Sequence, residues 1–170
     1  MEIIIRVAEQ AEAHAVAEVL RRSIIEVCHP DHHGDSSILE QWLANKTATT
    51  VAQWLASPKA LALLAVNAEN EPVGIGMLNR SGEVLLCYVV PEVLGRGVGH
   101  SLLSAMLRTA ERWGLGRVFL ESTETAKSFY CRNGFEPDGE PVKADGLRGY
   151  PMQRPIVFCN NVDRTTEPPR

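Results

Sequence analysis

Three glycines at alternate positions, Gly95, Gly97 and Gly99, lie between an apolar run that ends at Val90 and a helical pattern that begins at Val98. Few arrangements other than a strand, a tight turn and a helix suit such a segment. Glycine lets the backbone take unusual φ values and lets a bound group approach it closely. The helix that follows offers unpaired N–H groups and the positive end of its dipole. Together these make a site for an anion, most naturally a phosphate or pyrophosphate. The Lys and Ser/Thr of a nucleoside-triphosphate loop are missing.

The rest of the chain sets the frame around this turn. Ile3–Val7 reads as a strand, and residues 9–27 carry apolar residues at helical spacing. The polar segment from Cys28 to Asp35 follows as a loop. Ser37 with Glu40, and Thr50 with Gln53, stand at capping-box spacing and predict two short helices, the second ending before Pro58. Ala60–Val66, Pro72–Leu78 and Val84–Val90 are apolar runs separated by turn-rich segments, the pattern of an antiparallel meander. Past the glycines, Val98, Leu102, Met106, Ala110 and Trp113 mark a helix, and Gly114 and Gly116 end it. Arg117–Glu121 reads as a strand, Glu124–Asn133 as a helix capped by Gly134, and Tyr150–Phe158 as a last strand. Pro151 and Pro155 predict an edge or irregular place for that strand. The fold class expected is therefore α/β, with a mixed, mostly antiparallel sheet flanked by helices. Residues 1–159 are expected to form one domain and 160–170 a polar, disordered tail.

Composition excludes several classes of function. The chain has 170 residues, 45% hydrophobic and 22% charged, close to the averages of globular domains. A net charge of −4 leaves no basic stripe for a nucleic-acid backbone. The longest aliphatic run, Ala60 to Val66, falls far short of the roughly 20 residues that cross a bilayer. The N-terminus lacks the basic and long apolar regions of a secretory signal. Four scattered cysteines, Cys28, Cys87, Cys131 and Cys159, form no CxxC pair and suit reduced thiols in the cytoplasm. No metal is expected, because Cys28 and the nearby histidines lack partner ligands at metal-binding spacing.

A dinucleotide site is the nearest rival for the glycine turn, with Glu121 about 20 residues on as the ribose-binding acid. The glycine spacing is GxGxG rather than GxGxxG, and the strands before it do not alternate with helices, which counts against that reading. A second motif decides further. Ala126 and Tyr130 are four residues apart and share a helix face. A small residue there leaves a gap beside the phenol, wide enough for a thin ligand arm. The plain alternative is that Phe129 and Tyr130 are only core aromatics.

In this order the two motifs resemble those of the GNAT superfamily of N-acetyltransferases, V-x-P-x-x-(Q/R)-x-x-G-x-(G/A) followed by A-x-x-(F/L)-Y-x-x-x-G-F. Val89, Pro91, Gly97, Gly99, Ala126, Phe129, Tyr130, Gly134 and Phe135 stand at the matching positions, and the resemblance spans residues 3–158. It implies an enzyme that moves an acetyl group from acetyl-CoA directly to an amine. The pyrophosphate would rest on Gly95, Arg96, Gly97, Val98, Gly99 and His100. The pantetheine would lie between two splayed strands, pairing with backbone groups of Tyr88, Val89 and Val90. An N–H near Val89 or Val90 would face the developing oxyanion. Ala126 would border the arm, and Tyr130 would act as general acid toward the departing thiolate. Two positions depart from the family pattern. Leu94 replaces the usual Gln or Arg and cannot contact phosphate through its side chain. Thr123 stands where an Asn often meets the cofactor, and it keeps a hydroxyl for that contact.

The acceptor side is less defined. Glu83, Glu121, His29, His32, His33 or a water chain are the candidates for general base. His29, Asp31, His32, His33 and Asp35 crowd one loop, which either borders the acceptor or is a solvated polar loop. Cys87 and Cys131 are weighed as acyl-carrying nucleophiles and set aside, Cys131 because it lies about 100° around the helix from Tyr130. Two other classes stay open, a catalytically silent acyl-CoA-binding domain and a pure interaction domain. The expected partners are acetyl-CoA and a small-molecule or peptide amine, with no nucleic acid and no membrane. A homodimer would be one source of further acceptor contacts.

Overall fold

The computed structural model describes residues 2–158. The expected tail at 160–170 lies outside the described residues. The first strand, β1, is Ile4–Val7. A 3-10 turn at Gln10–Glu12 leads into α1, Ala13–Arg22, which continues as a π-helical turn over Ser23–Val27. The segment read as a plain polar loop contains a single helical turn, α2, His29–His32.

Helices α3 (Ser36–Leu43) and α4 (Ala48–Leu55) fall where expected, but their caps do not. Asp35, not Ser37, caps α3, its carboxylate accepting from the N–H groups of Ser37 and Ile38. Thr47, not Thr50, caps α4 and accepts from Thr50 N–H. In both cases the true cap stands two or three residues earlier, and its side chain reaches the first free amides of the helix.

The predicted meander is present. β2 (Ala60–Val66), β3 (Pro72–Asn79) and β4 (Val84–Val89) are antiparallel neighbours, and β1 adds to the outer edge of β2. α5 (Val98–Arg112) packs over β3 where Gly74 and Gly76 carry no side chain, with Leu102 and Met106 filling the space. Val73, Ile75 and Met77 point to the opposite face, as strand alternation requires, and are buried there. α1 also packs on β3.

The second sheet holds β5 (Arg117–Ser122), β6 (Glu136–Pro137), β7 (Val142–Ala144) and β8 (Leu147–Pro155), with α6 (Lys127–Arg132) after β5. Here the expectation for the last strand fails. β8 is central, not an edge: β5 pairs along one side over Tyr150–Pro155, and β6 and β7 pair along the other. Pro151 is tolerated because its carbonyl accepts from Asp138 N–H on the β6 side, so its missing N–H faces that side too, where β6 has already ended. The residues before Lys127, expected to be helical from Glu124, form a turn instead. The short β6 and β7 carry no apolar alternation and had no sequence signal.

The two sheets touch where β4 and β5 run parallel. Phe119 N–H donates to Gly82 O, and a single bridge joins Glu83 to Phe119. Beyond it the strands part company, and among the described residues β4 has no ladder partner on that side.

Candidate active site

A cleft of about 550 Å³ opens between the diverging ends of β4 and β5. Its walls are β4, the glycine turn, the start of α5, and the 121–133 segment. The side groups of the outer β4 edge are set by register. Val90 N–H donates to Val73 O at 3.0 Å, and Tyr88 stands opposite Ile75. In an antiparallel ladder the hydrogen-bonded pairs alternate with non-bonded ones. The backbones of Cys87 and Val89 therefore turn away from β3, toward the cleft. Of the expected pairing set Tyr88, Val89 and Val90, only Val89 faces the cleft, and Cys87, which the sequence reading did not include, joins it, since the N–H groups of Tyr88 and Val90 face β3. Of the two amides expected to face an oxyanion, that of Val90 is bonded to β3 and that of Val89 turns toward the cleft.

At the floor, Gly97 caps α5 with φ +81°, and Gly95 has φ +70°. A Cβ built on either would meet nothing within 4 Å. Their lack of side chains is thus demanded by φ and leaves the backbone open, not by packing. Gly99 differs, since its Cβ would touch the Phe129 ring at 3.4 Å. The first intrahelical bond is Ser101 N–H to Gly97 O, so the amides of Val98, Gly99 and His100 are unpaired. Arg96 N–H is spent on Val93 O, and its side chain lies outside the cleft lining. The cation that does line the cleft is Arg132, which the sequence reading missed. It is two residues past Tyr130, at a position that the motif as read leaves open. Leu94 lines the cleft at 48% exposed, an apolar wall in place of a polar hand. His100 is anchored by a 2.7 Å bond between its Nδ1 and Asn133 Oδ1, which ties α5 to the end of α6.

Tyr130 is 6% exposed and packed edge-on between Phe129 and Phe135, with ring centroids 5.1 and 5.5 Å away. Ala126 lies one turn before it on the same wall of the cleft. Burial, then the neighbouring Cys87 thiol and Tyr88, hold the Tyr130 phenol well above its ordinary pKa. Burial likewise pushes the Cys87 thiol up to about 12, partly offset by a hydrogen bond with Tyr130. Cys131 is exposed and outside the lining.

A second cavity, about 350 Å³, adjoins the first through Tyr88, Glu121, Ser122 and Thr123. It is walled by Gln41, Trp42, Asn45 and Lys46 from the end of α3 and by residues of the β7–β8 hairpin. The Tyr88 side chain lines it, and burial raises its pKa, with nearby Trp42 offsetting part of the rise. Thr123 Oγ1 accepts from Ala126 N–H at 3.1 Å, which shapes the turn into α6 and leaves its own hydroxyl proton to give.

Of the five side chains weighed as base, only Glu121 lines either cavity. Its carboxylate occupies the space that a side chain at Gly149 would need. Glu83 sits in the β3–β4 turn, hydrogen-bonded to Asn79. His29 and His33 are exposed and line neither cavity. His32 is 2% exposed: Nε2 donates to the carbonyls of Ile24 and Ile25, and Nδ1 accepts from Gly34 N–H. Neither nitrogen is left to take a proton from an acceptor. Asp31, from the same turn, is buried, and its carboxylate accepts from Glu124 N–H, Thr125 N–H and the Thr125 hydroxyl. The histidine-rich loop is therefore a clasp that fastens α2 to the start of α6. Among the described residues no trio of His, Cys, Asp or Glu converges as a metal would need.

The splayed strands, the glycine turn and the buried tyrosine are the features of an acetyltransferase fold. Residues 28–155 match the family model for the acetyltransferase (GNAT) domain, and the chain belongs to that family. It is 31% identical over 103 residues to an uncharacterized N-acetyltransferase of Mycobacterium bovis, a match covering 56% of this chain and 65% of that protein. The chain thus spans just under two thirds of that relative. A shorter match, 38% identical over 65 residues, covers 38% of this chain and 36% of the amino-acid acetyltransferase of Mycobacterium tuberculosis. Among solved structures, a GCN5-related N-acetyltransferase from Rhodopseudomonas palustris superposes with a TM-score of 0.81 at 22% identity, over 92% of this chain and 97% of that one. The paiA N-acetyltransferase of Thermoplasma acidophilum, solved with coenzyme A, gives 0.75 at 21% identity, over 91% and 99%. At these identities the two structures speak for the fold.

Proposed function

We propose that this chain is an acetyl-CoA-dependent N-acetyltransferase that passes the acetyl group directly to an amine, with residues 1–159 acting as one domain. The observation that carries the reading is the cleft itself, in which free strand backbone, unpaired amides and a buried phenol line one continuous channel. The amides of Val98, Gly99 and His100 would hold the pyrophosphate, with Arg132 rather than Arg96 as the nearby cation. Cys87 and Val89 would pair with the pantetheine as an added strand does. Leu94 and Thr123 would touch the same ligand through apolar contact and a hydroxyl. That a structural relative was solved with coenzyme A supports this use of the cleft.

In the reaction the amine nitrogen bonds to the acetyl carbon, the C–S bond breaks, and the thiolate leaves. Val89 N–H stabilises the oxyanion. Tyr130 hydrogen-bonds the departing sulfur. Its raised pKa makes full proton transfer more uphill than the roughly 1.5 units that separate an ordinary Tyr from an ordinary thiol. Its service is then a hydrogen bond that strengthens as charge builds on sulfur. Glu121, at the junction of the two cavities, accepts the proton the amine loses. Direct transfer is favoured because a Cys87 thiol held near pKa 12 is a poor nucleophile at neutral pH.

No helix among the described residues is long and apolar enough to cross a membrane. We place the activity in the cytoplasm, which keeps thiols such as Cys28, Cys87 and Cys131 reduced. The test is calorimetry with acetyl-CoA together with release of free CoA across a panel of amines. Binding with turnover supports the enzyme. Binding without turnover on any amine would leave a silent acyl-CoA-binding domain, and no binding would end the reading altogether.

A further inference from the structure

The second cavity holds a charge the proposed chemistry does not use. Lys46, in the turn between α3 and α4, is 8% exposed and lines that cavity. Its Nζ donates to Trp42 O at 3.2 Å and to Asn45 Oδ1 at 2.6 Å. Both acceptors are neutral, and an ammonium has three protons to give. Among the described residues no carboxylate lies within ion-pair distance of it. The C-terminal carbonyls of α3 and the face of Trp54, 5.8 Å away, are its remaining relief. Burial lowers its pKa accordingly. A buried ammonium without a counter-ion is costly, and a cavity beside it is where one would sit.

The rest of the lining sorts by charge. Arg148 adds a second cation. Asp31 is spent on its three donors, and Asp145 is exposed in the β7–β8 turn. Glu121 stands at the junction with the acetyl cleft, whereas Lys46, Gln41, Trp42 and Asn45 belong to the second cavity alone. One carboxylate therefore marks the side where an amine must react, and an uncompensated ammonium marks a wall away from it. A cavity of about 350 Å³ is at the small end for ligand sites.

We propose that the acceptor is a small amino acid, held by its carboxylate on Lys46 with its amine turned toward Glu121. This rests on the acetyltransferase reading above and names its substrate class. A polyamine or an uncharged amine would leave the Lys46 charge unanswered. The Arg148 guanidinium assists from the rim.

The experiment compares matched pairs of acceptors, free amino acids against their carboxamides, by CoA release, for the wild type, Lys46→Met and Lys46→Arg. The wild type should favour the acid by about thirtyfold or more in kcat/KM, the worth of one charge-assisted hydrogen bond. Lys46→Met should bring the acid-to-amide ratio near one, mainly through KM of the acid. Lys46→Arg should keep a clear preference for the acid. A merely structural lysine would not move that ratio. Calorimetry of N-acetyl amino acids against their amides, in the presence of CoA, gives the same comparison without turnover. Equal handling of acid and amide by the wild type, or an acid preference untouched in Lys46→Met, would overturn the proposal. Loss of acetyl-CoA binding itself is a separate result, since it would defeat the acetyltransferase reading from which this one starts.

Discussion

The two cavities share Tyr88, Glu121, Ser122 and Thr123, yet they are built from different material. The larger one offers backbone as well as side chains: a strand edge with no ladder partner among the described residues, three free amides at the head of α5, and Gly95 and Gly97, whose Cβ positions face open space. The smaller one is made of side chains brought from α3, β5 and the β7–β8 hairpin. A backbone-built site depends on φ and register, so few substitutions are tolerated in it. A side-chain-built site can change its ligand one residue at a time. The difference suits the roles proposed for them, a cosubstrate in the larger cavity and an acceptor in the smaller.

The sharpest way to break that contrast is Gly97→Val. Its φ of +81° makes a β-branched residue cost about 1–2 kcal/mol in strain. The new side chain would also stand over the free amides. We expect acetyl-CoA affinity to fall about 100-fold by calorimetry, roughly 2.7 kcal/mol, while the melting temperature falls by only about 2–8 °C. Equal affinity in the variant would return the glycines to a turn-forming role and dissolve the distinction.

Asp31→Ala probes the other construction. It removes the carboxylate that serves Glu124 N–H, Thr125 N–H and the Thr125 hydroxyl, leaving amide donors orphaned in a partly buried place. A loss of about 2 kcal/mol in urea unfolding is expected. Acceptor KM should rise more than the Kd of acetyl-CoA, because the clasp fixes α2 near the second cavity. If both constants moved together, the two cavities would be one mechanical unit.

Tyr130→Phe tests the chemistry at their meeting point. Removing one hydroxyl keeps the ring packing against Phe129 and Phe135. We expect kcat to drop tenfold or more with acetyl-CoA affinity barely changed. An unchanged kcat would take Tyr130 out of the mechanism.

How far the sequence showed this architecture follows the same division. The meander, the glycine turn and α5 were visible because period-2 and helical patterns, and glycine itself, are local signals. Tyr130 and Ala126 were visible because they share a helix face. What could not be read was long-range. Whether the loop around Asp31 is a solvated surface or a clasp depends on Thr125, 94 residues away along the chain. His32 looked reactive in a polar loop, but its partners Ile24 and Ile25 are carbonyls, which composition does not reveal. The central position of β8 was hidden by Pro151, because the sequence does not say which side of the strand its missing N–H faces. Lys46 gave no signal at all, since its burial is produced by α3, α4 and Trp54 folding around it.

A last effect is expected on stability at alkaline pH, and it reports on the two thiols, Cys28 and Cys87, that line the larger cavity. Burial pushes Cys28, with Asp31 adding to the shift, and Cys87 up to about 12. Tyr88 and Tyr130 are also raised, chiefly by burial. A raised folded pKa means that the folded chain holds its proton longer than the unfolded one. Stability from these groups is therefore complete below the unfolded thiol pKa of about 8.5 and is lost as pH rises from there toward 12. Each thiol contributes a slope of at most about 1.4 kcal/mol per pH unit in that window. Urea unfolding at pH 8, 9 and 10 should show the decline. Cys87→Ala should flatten part of it, and Cys28→Ala another part. A profile that stays level across this window, or that neither variant alters, would show that the thiols ionise as freely in the folded chain as in the unfolded one.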